Sequence, residues 1–205
     1  MKKLFTLALA SICGVLYSQN FKVEDYPIGV YETYEDFRIK KPSSTPSLSE
    51  ASSKDNLAYR FDNLDDKSRK LKKAFAVSDG KNLYIQVVNL IKKFDSEDRG
   101  QGYDGGVYFL KAENHGGYLF LKDYFVSNSS AMWGGLIAAA AARRQKGVIY
   151  NESKESFNLF KNLEDFQSFM TVEHPNVTLD LERGKGADKK EEIDVVISNL
   201  DKINS

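Results

Sequence analysis

Apolar residues alternate with polar ones through the middle of the chain and recur every three or four residues towards its end. Gly29-Val30-Tyr31 and Leu57-Ala58-Tyr59-Arg60-Phe61 read as strands. Residues 73–78 and 82–88 flank Asp79-Gly80, a two-residue hairpin signal. In that register Leu83, Ile85 and Val87 share a face with Ala74 and Ala76. Phe75, Val77 and Tyr84 then share the other face. Residues 106–111 and 118–126 flank a second turn, Glu113-Asn114-His115-Gly116-Gly117. Tyr118-Leu119-Phe120-Leu121 is apolar on both faces, which predicts a central strand covered on both sides. Val148-Ile149-Tyr150 and Phe157-Asn158-Leu159-Phe160 predict a third hairpin around Ser153-Lys154.

Helical signals punctuate these strands. Thr33 is a good N-cap, and the following residues 34–39 place Glu35 and Asp36 in a first turn. Pro42 ends that helix, and the Ser/Pro-rich residues 42–56 read as a flexible exposed loop. Residues 130–145 predict an Ala-rich helix that ends on Arg143-Arg144, with Gly147 as its C-cap. Asn162 caps a helix striped by Leu163, Phe166, Phe169 and Met170. Asp188 with Glu191 opens a C-terminal helix carrying Ile193, Val196, Ile197, Leu200 and Ile203 on one face. The sum is an α+β fold: an antiparallel sheet of about six to eight strands built of hairpins, with three or four helices, one of them the Ala-rich helix, buried. Helices interrupt the strand run, which argues against a lipid-exposed barrel.

The start of the chain has a different character. Met1-Lys2-Lys3 is a short basic stretch, and Leu4 to Leu16 is apolar apart from Thr6 and Ser11. Residues 1–18 therefore read as a secretory signal peptide cut near Ser18, and residues 19–205 as a single domain. The lone Cys13 falls inside the leader, so the mature chain carries no cysteine. The full chain has 29 basic and 29 acidic residues, and removing Lys2 and Lys3 leaves 27 against 29. That balance lacks the basic excess of a nucleic-acid binder. Export to the periplasm or medium is the expected localisation.

The stretch Gly29-Val30-Tyr31-Glu32-Thr33-Tyr34-Glu35-Asp36-Phe37, followed by Lys41-Pro42-Ser43, resembles the opening of uncharacterised exported proteins of Bacteroidetes. The resemblance implies a Gram-negative envelope setting and brings no activity with it.

Chemistry-bearing motifs are sparse. Gly100-Gln101-Gly102-Tyr103-Asp104-Gly105 spells G-x-G-x-x-G, but a strand rather than a helix follows it, so it reads as a glycine loop and implies no cofactor. Asp95, Glu97, Asp98 and Asp104 crowd the same region as calcium candidates, although Arg99 and Tyr103 break the calcium-hand spacing. His115 and His174 stand far apart without zinc spacing. The remaining catalytic candidates are Asp104, Glu113 and His115, a motif-free hydrolase reading. Residues 131–142 offer another possibility. Small residues at spacing four, with Trp133 at one end and Arg143-Arg144 at the other, could associate with a membrane or self-assemble. Twelve apolar residues are too short to span, which favours burial. The leading expectation is an exported, non-enzymatic protein that binds a peptide, a glycan or an envelope component.

Overall fold

Period-two alternation becomes eleven short strands in the computed structural model, which describes residues 20–52, 58–67, 69–86, 88–90, 108–125, 144–160, 162–181 and 191–204. The first sheet contains β1 (Gly29–Tyr31), β2 (Leu48–Ser52), β3 (Ala58–Asn63), β4 (Arg69–Lys70), β5 (Ala76–Ser78), β6 (Leu83–Gln86) and β7 (Phe109–Lys111). Its order is β1-β5-β6-β7-β3-β2, with β4 alongside β3. The second sheet contains β8 (Glu113–His115), β9 (Tyr118–Phe125), β10 (Arg144–Asn151) and β11 (Ser156–Phe160), in the order β11-β10-β9-β8. Every pairing is antiparallel. With α1 (Tyr34–Arg38), α2 (Leu163–Glu173) and α3 (Glu191–Asp201), this is the α+β antiparallel class that the pattern predicts.

The first sheet curls. The Tyr84 hydroxyl on β6 donates to Glu50 Oε2 on β2 at 2.9 Å, although β7 and β3 separate these strands in the sheet. The chain leading into β2 also runs along β1, where Val30 N donates to Ser44 O and Ser43 N to Val30 O, both at 2.8 Å. Val30, Phe61, Ala74, Val77, Tyr84 and Phe109 fill the inside of the curl.

The outer face of the curl meets the second sheet, and α1 is the wedge between them. Thr33 forms a full capping box with Asp36, which fixes where α1 starts. Phe37 is wholly buried, its ring 5.3 Å from Phe75 of the first sheet's side and 5.3 Å from Tyr150 of the second. Leu119, Leu121 and Val148 join this layer, while Tyr118, Phe120 and Ile149 point the other way, under α2 and α3. The central strand β9 is thus covered on both faces, as its sequence requires.

Several local expectations change. Within residues 42–56, read as a loop, Leu48–Ser52 is an edge strand paired to β3. Leu48 is its only large apolar side chain, so the pairing rests on backbone hydrogen bonds rather than on alternation. Asp79-Gly80 does turn a hairpin, but Ser78 pairs with Leu83, so the loop holds four residues. Asp79 Oδ1 tightens it by accepting from Lys81 N and Asn82 N. Phe75 joins Ala76 in the layer between the sheets, so alternation slips at that point. The second predicted hairpin divides: β7 belongs to the first sheet, and only β8 turns into β9, through Gly116-Gly117. Positive φ angles of 61° and 85° at those two glycines suit a primed hairpin turn. His115 therefore ends a strand rather than sitting in the turn.

Arg144 and Gly147 lie within β10, not at a helix end, and Gly147 pairs with Lys122. A Cβ at Gly147 would fall 2.7 Å from the Phe120 ring, so glycine is there to admit that ring. The Ala-rich residues 131–142, the leader and Asp188 lie outside the described residues. No described helix is long and apolar enough to cross a membrane.

Candidate functional site

Two of the three catalytic candidates meet. Residues Glu113 and His115 are two apart on β8, hence on one face, and His115 Nε2 lies 3.2 Å from Glu113 Oε2. The other ring nitrogen, Nδ1, lies 3.0 Å from Asp201 Oδ1 at the end of α3. Lys122 Nζ donates to the same Glu113 oxygen at 3.1 Å. The hydrogen bond to Glu113, with a second to Asp201, raises the His115 pKa above its ordinary value despite burial. The hydrogen bond from His115, helped by Lys122, lowers that of Glu113. Both imidazole nitrogens are occupied by carboxylates, and the group ties the tip of the β8–β9 hairpin to α3. Asp104, the third candidate, lies outside the described residues.

His174 is also engaged. Its Nε2 lies 2.7 Å from the Tyr118 hydroxyl, and burial lowers its pKa. Among the described residues no group of three or more His, Cys, Asp or Glu is placed to hold a metal ion. The calcium candidates Asp95, Glu97 and Asp98, like the glycine-rich residues 100–105, lie outside the described residues.

At one end of the curled sheet lies a groove of about 510 Å³. Its floor is the segment that leaves β4 and enters β5, and Arg69, Lys70, Lys72 and Lys73 line it. Glu32 and Thr33 border it from the end of β1, Ser44 and Pro46 from the crossing chain, and Asn63 from β3. That volume falls within the range of about 300–1,000 Å³ typical of small-molecule sites.

The floor of this groove is held by neutral groups. Leu71 N donates to Phe61 O at 2.9 Å. The buried Gln86 side chain donates through Nε2 to Lys72 O at 3.1 Å. Asn89 Nδ2 reaches Lys73 O and Ala74 O at 3.3 and 3.2 Å, and also Gln86 Oε1 at 2.5 Å. On the facing side, Ser43 Oγ accepts from Glu32 N and donates to Asp36 Oδ2, the carboxylate of the capping box. Those hydroxyl contacts from Thr33 and Ser43 lower the Asp36 pKa. Side-chain amides and a capping box thus shape the walls, and the lysine ammonium groups stay exposed.

None of these groove residues is among the candidates that motif spacing brings forward. The available signal is Lys67-Ser68-Arg69-Lys70-Leu71-Lys72-Lys73, five cations in seven positions. A run of that kind is ordinarily a solvated face. Only the curl of the sheet, which brings residues 32–33, 44–46 and 63 opposite it, makes it concave.

No curated protein and no solved structure matches the chain. A family model described as a family of unknown function matches residues 29–177, which takes in both sheets, α1 and α2 and every residue of the groove. The chain therefore belongs to that family of unknown function, DUF6563.

Proposed function

We propose that this protein is a non-enzymatic binding protein exported to the cell envelope or periplasm, and that its ligand lodges in the groove at the end of the curled sheet. The observation that carries the reading is the construction of that groove. A concave surface of ligand-binding size has its backbone fixed by the buried Gln86 amide and the half-buried Asn89 amide, while its lysine side chains remain exposed. A backbone already fixed in place favours capture of a ligand, because less of the wall has to be ordered on binding. The histidine candidate supports binding over hydrolysis, since each ring nitrogen of His115 already faces a carboxylate that anchors α3 or β8.

Export rests on the basic and apolar character of residues 1–18 and on the resemblance to uncharacterised exported proteins of Bacteroidetes. An intact mass of the native protein, taken after separating periplasm, medium and membranes, tests it. A soluble species beginning at Gln19 or Asn20 is the expected result. An uncleaved cytoplasmic chain sinks the export half of the proposal. For the binding half, a panel of peptides and saccharides is screened by thermal shift against the native chain and against a Lys72→Glu variant. A stabilising ligand whose effect survives Lys72→Glu unchanged removes the groove from the reading.

A further inference from the structure

The lining of the groove restricts the chemistry of what it can hold. Glu32 and Asp66 are the only carboxylates among the lining residues, and Asp66 already faces Arg69 Nη1 at 3.5 Å. Lys70, Lys72 and Lys73 form no ion pair with any described residue. Three exposed like charges gathered in one concavity repel each other and attract an anion, in a chain whose formal charge is zero.

The other lining groups are small and neutral. Asn63, which lines the groove, accepts from Asp65 N through its Oδ1 at 2.9 Å, and its amide nitrogen remains available as a donor. Ser44 adds a hydroxyl, and Pro46 and Leu71 add short apolar surfaces. A bare inorganic anion needs none of these. Single-stranded nucleic acid gains much of its affinity by stacking on aromatic rings, and no aromatic residue lines the groove. A polyhydroxylated ring uses all of them, hydroxyls on Asn63 and Ser44 and its C–H face on Pro46 and Leu71. Lysines, unlike the arginine fork, impose no fixed planar geometry on the anionic group.

We propose that the groove binds a saccharide that carries a negatively charged group, phosphate or carboxylate, with Lys70, Lys72 and Lys73 holding the charge and Asn63 the ring. This rests on the groove being the binding site.

The test is calorimetric titration of the mature chain at low salt with glucose 6-phosphate, glucuronate, glucose, inorganic phosphate and a short single-stranded oligonucleotide. The charged sugars are expected to bind about tenfold or more tightly than either glucose or phosphate alone. A Lys70→Gln/Lys72→Gln variant with an unchanged circular dichroism spectrum is expected to lose about tenfold or more of that affinity. Affinity is also expected to fall as salt rises. Equal binding of phosphate and glucose 6-phosphate overturns the sugar assignment, and stronger binding of the oligonucleotide overturns it in favour of nucleic acid. If a neutral peptide or glycan binds and the double variant abolishes it, the groove stands and the anionic ligand falls. If the charged sugars bind equally to the double variant, the groove falls with the inference.

Discussion

Around His115 and around Lys72 the protein places charges close together, with opposite outcomes. At His115 the signs alternate: Lys122, Glu113, His115 and Asp201 follow one another at 3.0 to 3.2 Å. Each charge there is answered by the next, and the chain of contacts joins the β8–β9 hairpin to α3, which lies far away in sequence. In the groove the cations outnumber the carboxylates, four to two, and neutral amides rather than carboxylates hold the backbone beneath Lys72 and Lys73. The contrast separates charges that hold the fold together from charges the fold merely carries. A like-charged cluster opposes folding slightly, so its use has to be sought in what it meets from outside.

The sharpest way to break the first region is at its turn. Gly116 has φ +61°, and a Cβ there would fall 2.2 Å from the Leu200 carbonyl oxygen of α3. Backbone in this position cannot yield without moving the helix. Gly116→Ala is expected to cost about 2–4 kcal/mol, from left-handed strain plus steric overlap. Urea unfolding measures it, and a loss below about 1 kcal/mol would show that α3 is not seated on the hairpin as described.

Next in size is the histidine itself. His115→Gln keeps one hydrogen bond and removes the charge, and a loss of about 1 kcal/mol is expected near pH 5.5. The figure is held down because the carboxylate of Asp201 is 53% exposed and solvent screens it. Its pH dependence is a finer probe. A raised folded-state pKa means that His115 contributes fully below its ordinary value of 6.5 and that the contribution fades as pH rises through the folded value. Glu113, with its pKa lowered, contributes above 4.5 and loses that contribution as pH falls through its folded value. The pair thus stabilises most between about pH 4.5 and 6.5. His174, lowered by burial, works in the opposite sense: it costs nothing above pH 6.5 and destabilises as pH falls below that value. The difference between wild type and His115→Gln isolates the His115 contribution. That difference should shrink as pH rises above 6.5, and a constant gap would mean that the imidazole carries no charge in the folded state.

The two regions also differ in how far the sequence reveals them. Short-range signals are legible: Thr33 and Asn162 both cap helices, Asp79-Gly80 turns a hairpin, and β9 is buried on both faces. Each depends on a few neighbouring residues whose side chains satisfy nearby backbone groups. The pairing of Glu113 with His115 is half legible, since both sit on one strand face, but Asp201 reaches them from the far end of the chain. Gly147 misleads because a glycine after two arginines looks like a helix end, whereas here it yields space to the Phe120 ring. Strand β2 is hidden because an edge strand with one large apolar residue has no alternation to show. The groove is hidden for a deeper reason. Its cations are plain in the sequence, yet their concavity is created by a curl that closes β2 over β6, which involves contacts between residues as far apart as Glu50 and Tyr84.

The smallest effect on stability is expected where the effect on binding is largest. Lys70 and Lys72 are exposed, and the backbone contacts beneath Lys72 come from the Gln86 amide, which a change of side chain leaves in place. Lys70→Gln/Lys72→Gln should therefore shift unfolding by no more than about 0.5 kcal/mol, and relief of repulsion could make the shift favourable. Gln86→Ala is the matching control, because it removes the buried amide and leaves every lysine. The part-buried Lys72 carbonyl then loses its donor, and the buried Gln86 contacts go with it, at a cost of about 1–3 kcal/mol. If the lysine variant proved as destabilising as Gln86→Ala, the groove cations would be structural after all, and the distinction from the His115 cluster would collapse. If the lysine variant is neutral while Gln86→Ala loosens the floor, then charge and scaffold are separable in the groove, whereas at His115 they are the same atoms.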